Sequence, residues 1–374
     1  MQNKTRMYRR LLLGGSLCLM AIPMNFQNAT AAGELLQTEQ SSATTNPLME
    51  KWTGNYGGVP PLDKIQVAHF KPALEAAMKE NLAEIDKITA NAAAPSFDNT
   101  IVEMERSGKL LDRVQTIYGI WSSTMSTKDF QGVEEEMEPK LAAFYDQIVQ
   151  NEKLFQRIEK VYTDEAAMKA LTPEQKRLTW NYYTNFTRAG AKLDAKSKAR
   201  LSEINQELAS LFTKFSQNQL HDEMEIRLVL TSKEDLAGLP QSLVDAAAAA
   251  AKEPGTWVIR NTRSSVEPFL TYSSRRDLRE KAWRMFVNRG DNGGEFDNNS
   301  IITNILKLRA ERAKLLGYST HAHWRLENSM AKTPERAVEL MEKVWTPAVA
   351  RVKEEVADMQ AQAEKEGDKI TIEP

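Results

Sequence analysis

From Phe70 onward, large apolar side chains return every three or four residues. Phe70, Leu74, Met78, Leu82, Ile85 and Ile88 form the first series. A period near 3.6 places them on one face of a long helix, since a strand would need a period of two. The spacing recurs at Leu110, Val114, Ile117 and Trp121, over about 129–149, and at Leu201, Ile204, Leu208, Leu211 and Phe215. A chain patterned in this way buries helical stripes against one another, so the expected fold class is mainly α. Start and stop signals agree. Thr100 with Glu103 reads as a capping box. Thr172-Pro173-Glu174-Gln175 puts Thr at N-cap, Pro at N1 and Gln at N3. A helix over about 299–316 ends at Gly317. Thr333-Pro334-Glu335 opens the last long helix, which Pro347 is expected to kink or break.

One region departs from this period. EMEIRLVL (223–230) alternates apolar Met224, Ile226 and Leu228 with polar Glu225 and Arg227, as a half-buried strand does. TWVIRN (256–261) and EPFLTYS (267–273) read as two further short strands. PQSLVDAAAAAAKE (240–253) reads as a helix between the first strand and these two. A small β element around residues 223–273 is therefore expected inside the helical body. Ser274 and Asp277 then cap a return to helix at DLREKAWRMF, with Trp283 buried and the basic face exposed.

The first 31 residues read as a signal peptide. Lys4, Arg6, Arg9 and Arg10 precede the apolar stretch 11–24, which is too short and glycine-interrupted for a good membrane span. Ala29-Thr30-Ala31 is a small-residue cleavage site, so the mature chain is expected to begin at Ala32, in the periplasm. Arg9-Arg10 hints at twin-arginine export, but the rest of that consensus is poor and ordinary secretion is expected. Leu17 before Cys18 excludes lipidation. Cys18 is the single cysteine, which leaves the mature chain without disulfide, thiol or cysteine metal ligand. Residues 32–59 are polar and read as a linker. With 49 Lys plus Arg against 51 Asp plus Glu, the basic excess of a nucleic-acid protein is missing. No later stretch is apolar enough to cross a membrane.

The motifs that could carry chemistry fall short. In GYSTHAHWRLEN (317–328), His321 and His323 stand two residues apart. On a helix they point about 200° apart and cannot share one metal ion. Thr320 is a good N-cap, so helix is the expected state, with His323 and Glu327 as a surface hydrogen-bonded pair at i, i+4. HDEME (221–225) scrambles the H-E-x-x-H motif, in which two imidazoles one turn apart hold zinc and the Glu activates the bound water. It has one His, and a solvated turn is the expected state. His69 is expected to be partly packed. The loop GDNGGEF (290–296) lacks the lysine and hydroxyl of a phosphate loop, and reads as plain surface. No catalytic, cofactor-binding or metal-binding residue is assigned.

The chain as a whole resembles the thimet oligopeptidase/neurolysin-type zinc metallopeptidase family, in its peptidyl-dipeptidase (dipeptidyl carboxypeptidase) branch. The stretches that carry the resemblance include NPLMEKW, GVPPLDKIQVAHFKPALEAAM, PSFDNTIVEMERSGKLLDRV and LDAKSKARLSEINQELASLFTKFSQN. They continue with LTSKEDLAGLP, LTYSSRRDLREKAWRMFVNRG, ILKLRAERAKLLGYSTHAHWRLENSMAKTPERAVELM and ITIEP. They follow the family's order over about 46–374. The resemblance implies a two-lobed, multi-helix fold with a channel that admits short peptides, and one zinc held by H-E-x-x-H and a downstream Glu. It further implies release of dipeptides from the peptide's C-terminus. H-E-x-x-H occurs nowhere in this sequence. The expectation is therefore an incomplete two-lobed fold: an N-terminal helical region over 60–220, then the start of the catalytic region over 221–374. The zinc ligands lie in the full-length parent, the given chain is inactive alone, and it leaves apolar surface uncovered. The alternative is a non-catalytic helical protein that binds peptides or a partner on a peptidase scaffold.

Overall fold

The computed structural model describes residues 46–373. The expected signal peptide, its cleavage site and the first part of the expected linker lie outside them. From residue 46 the chain is already part of the fold. Leu48 lies in the first core cluster, and the Asn46 side-chain amide donates to the His69 carbonyl at 2.8 Å.

Mainly helical architecture is what the structure shows. Helix α1 (Phe70–Thr89) is followed by α2 (Glu103–Arg106), α3 (Lys109–Thr124) and α4 (Lys128–Val149). The apolar stripe of α1 meets those of α3 and α4 in one core, around Leu74, Met78, Val114, Ile117, Met137 and Leu141. Phe70 sits at its aromatic centre, edge-on to Trp121 and Phe130 with both ring centroids at 5.1 Å. Such pairs add about 0.5–1.5 kcal/mol each beyond their buried area.

The entry to α2 differs from the sequence expectation. The capping box is formed by Ser96 and Asn99, not by Thr100 and Glu103. Asn99 N donates to Ser96 Oγ at 3.2 Å, and Ser96 N donates to Asn99 Oδ1 at 2.8 Å. Thr100 is instead fully buried. The helix then breaks before α3, where Gly108 adopts φ 71° and its N–H donates to the Glu84 carboxylate at 2.6 Å. The left-handed φ suits glycine, and a Cβ there would lie 3.1 Å from Asn81 Oδ1.

Helices α5 (Glu152–Thr163), α6 (Glu165–Ala170) and α7 (Pro173–Arg188) follow. Ile85 and Ile88 at the end of α1 join Leu154, Ile158, Tyr182 and Phe186 in a second core. The Thr172/Gln175 capping box at the start of α7 forms as expected, with bonds of 3.0 and 3.3 Å. Helix α8 (Ala195–Glu225) packs along α4.

The β element is smaller than expected. β1 (Arg227–Leu230) pairs antiparallel with β2 (Trp257–Arg260), in register Arg227 to Arg260 and Leu230 to Trp257. Helix α9 (Gln241–Ala250) lies between them in sequence. EPFLTYS is not a third strand; its first six residues lie within α10 (Arg263–Tyr272), with Ser273 as the C-cap. The two buried side chains of α10, Val266 and Phe269, stand three apart and meet the core only in helical geometry. Glu223 to Glu225 likewise belong to α8. Helix α11 (Arg276–Val287) places Leu278 and Ala282 in the third core with Leu230, Ile259 and Phe269. Trp283, expected to be buried, is 46% exposed, because Leu278 and Ala282 set the buried face and position 283 lies one residue off it.

Helix α12 (Asn299–Leu315), α13 (His321–Leu326) and α14 (Pro334–Glu366) complete the described fold. Pro347 lies within α14, and the helix continues through it. The chain forms two compact units, one ending at Ile305 and the other beginning at Leu306. The sequence reading places its boundary at 220/221, where the end of α8 is tied to loop 289–298 by side chains described next.

Candidate functional site

The end of α8 carries a group of buried polar side chains that touches a loop. Asp222 is 4% exposed. Its Oδ2 accepts from Gly290 N at 2.7 Å and from Asn292 Nδ2 at 2.8 Å. Its backbone carbonyl accepts from the fully buried Asn261, just past β2, at 3.2 Å. One turn earlier, Asn218 Nδ2 donates to Asn298 Oδ1 at 3.0 Å, and Asn298 Nδ2 donates to the Phe215 carbonyl at 3.1 Å. Arg289 forms an ion pair with Glu223 and stacks over Phe286 at 4.1 Å. His221 lies flat on Phe296, with centroids 3.5 Å apart. The segment HDEME is thus not a solvated turn. It is the clamp that folds loop 289–298 back onto α8.

Beside this clamp lies a groove of about 500 Å³ lined by Leu211, Lys214, Gly293, Gly294, Asp297 and Ser300. The backbone N–H groups of Asn299 and Gly293, at 2.8 and 3.0 Å, hold the Asp297 carboxyl below the usual carboxylate range. The Asp297 carboxylate and the exposed Lys214 can bind a polar ligand. They include no nucleophile with an adjacent base, and so no hydrolytic constellation. The sequence shows the glycines of this loop but gives no sign of its anchor, because Asp222 reads as one acid in a polar run.

The remaining histidines each have partners of their own. His69 accepts from Gln66 N at 3.0 Å through Nδ1. Thr320 caps α13 as expected, with His323 N donating to its hydroxyl at 3.3 Å. His323 does not pair with the Glu327 side chain; its Nε2 lies 3.5 Å from Glu335. Glu327 instead accepts from Tyr318 at 2.6 Å. His321 packs against Trp324 at 5.5 Å. Its burial, with Arg312, Arg309 and Arg325 nearby, pushes its pKa down to about 4. Among the described residues, no three His, Cys, Asp or Glu side chains gather as a metal site.

The profile of peptidase family M3 matches residues 269–374. A dipeptidyl carboxypeptidase of Escherichia coli (strain K12) is 32% identical over 334 residues, covering 88% of this chain and 49% of the relative. A dipeptidyl carboxypeptidase of Salmonella typhimurium is 32% identical over 320 residues, covering 85% and 47%. An oligopeptidase A of the same Salmonella is 27% identical over 328 residues, covering 86% and 47%. The chain spans about half the length of these curated relatives.

Two outcomes follow from the geometry. Asp222→Ala strips two donors of a charged acceptor and should cost about 2–4 kcal/mol. Urea melts should show that loss, and limited proteolysis should cut faster at Gly293-Gly294. The second concerns pH. His321 is held below its ordinary value of 6.5, so the folded state binds fewer protons there than the unfolded chain. Its stabilising contribution is present above about 6.5 and is lost as pH falls through about 4. The melting temperature of His321→Gln should therefore fall less than that of the parent chain between those values.

Proposed function

The chain belongs to peptidase family M3 over the stretch it covers, and on that premise we propose that it is the N-terminal part of a zinc-dependent peptidyl-dipeptidase. The whole enzyme would act in the periplasm on short peptides and release dipeptides from their C-terminus. The observation that carries this reading is the 32% identity to the E. coli dipeptidyl carboxypeptidase across 88% of the chain. The oligopeptidase A relatives, at 27% and 26%, make the dipeptidyl carboxypeptidase branch the better choice within the family. The basic and apolar run before Ala29-Thr30-Ala31 supports export. No described helix is long and apolar enough to cross a membrane.

The residues present do not fit a catalytic zinc. A catalytic zinc site takes three protein ligands with one position open to water. The sequence has no H-E-x-x-H, and the described histidines are dispersed over separate partners. No catalytic step is therefore assigned to this chain. Its part is to supply the helical scaffold and the first stretch of the M3 region, from residue 269.

A chimera tests this. This chain replaces the matching half of the E. coli dipeptidyl carboxypeptidase, with its own residues 1–31 leading. The expected product holds one zinc per chain, releases dipeptides from a blocked short peptide in a chelator-sensitive manner, and appears in the osmotic-shock fraction. A folded chimera that releases no dipeptide would contradict the peptidase reading and favour a non-catalytic binding protein. Activity confined to the cytoplasm would contradict export.

A further inference from the structure

Helix α14 carries an apolar series that its own unit does not cover. Val338, Met341, Trp345, Ala348, Val352, Glu355 and Met359 follow one another at alternating steps of three and four. That is a period of 3.5, the a/d seam by which one helix packs along another. At 100° per residue the seven positions fall within roughly 100° of arc. Its five large apolar members, Val338, Met341, Trp345, Val352 and Met359, are each between 44% and 70% exposed. Val344, on the flank, is 60% exposed. An exposed apolar stripe of this regularity marks an interaction surface. Only the C-terminal end of this face is covered: Ala363, about five turns on from Trp345, is buried, and Gln360 beside it holds the returning tail through Ile370 O and Ile372 N, at 3.0 and 2.9 Å.

The period states the kind of partner, since a 3.5 seam fits another helix and not a strand or a small ligand. Charge argues against a second copy. Acidic residues outnumber basic ones along α14, so two copies side by side repel. Parallel self-pairing would also set Glu355 in the seam against its own equivalent. Arg351 Nε donates to Glu355 at 3.0 Å, which leaves the seam's one charge compensated within its own helix. The M3 profile includes α14, while the chain spans about half the length of the relatives it matches. We propose that the α14 seam is the docking face for a helix from the half of the peptidase that this chain does not span. This rests on the peptidase reading given above.

Side-chain accessibility tests the docking directly. Val352→Cys places a thiol in the seam, and Ala357→Cys places one on the far side of the same helix. Maleimide labelling is read by peptide-resolved mass spectrometry, which separates either site from Cys18. In the given chain both thiols should react at similar rates. In the folded E. coli chimera, Cys at 352 should react at least tenfold more slowly while Cys at 357 is unchanged. Equal rates at 352 in chain and chimera overturn the docking face. So does slowing at 352 in the given chain that grows with its concentration, because the occupant is then a second copy. Zinc-dependent dipeptide release with position 352 still reactive would remove the docking and leave the peptidase reading standing. Protection at 352 without hydrolysis would do the reverse.

Discussion

Asp222 is where the helical body, the segment after β2 and the loop before α12 meet: its buried carboxylate holds the loop and its backbone carbonyl holds Asn261. A polar group inside a protein costs free energy unless it is hydrogen-bonded. Gly290 N and Asn292 Nδ2 both donate to Oδ2, and they are available only if loop 289–298 turns back onto α8. Gly290 makes the turn at φ 74°, where a Cβ would lie 2.7 Å from Asn298 Nδ2. The consequence reaches beyond the loop. It fixes where α12 begins, and with it the start of the segment that leads to α13 and α14.

This arrangement is the basis of the scaffolding role proposed for the chain. The groove beside the clamp is polar and holds a carboxylate kept charged by amide N–H groups, which suits binding more than bond cleavage. The imidazoles have separate duties. His69 takes part in the turn that leads into α1, His221 stacks on an aromatic ring, His321 is held neutral beside arginines, and His323 follows a helix cap. The apolar stripe of α14 completes the picture, as a face shaped for another helix rather than for water.

Much of the fold was legible because period and caps are local. The stripe of α1, the Thr172/Gln175 box and the Thr333-Pro334 start all depend on residues within a few positions of one another. The misreadings arose where distant packing decides. EPFLTYS is too short to separate a strand from a helix by period, and the positions of Val266 and Phe269 in the third core settle it as helix. Ser96 outcompetes Thr100 as a cap because Thr100 is taken into the core. Trp283 looked like core by its chemistry, but Leu278 and Ala282 already define the buried face. Asp222 was missed because its partners lie 68 and 70 residues away. For the site, the absence of a zinc motif was readable from residue spacing alone, whereas the α14 face needed the exposure of each side chain to be seen as uncovered.

The central claim is that this chain brings scaffold and docking surface to an M3 peptidase, while the zinc chemistry belongs to the part it does not span. A titration of Zn²⁺ into the purified chain, in competition with a chelating dye, tests that most directly. The account predicts that the dye retains the metal and that no stoichiometric zinc stays with the chain after gel filtration. One tightly held zinc per chain would contradict it.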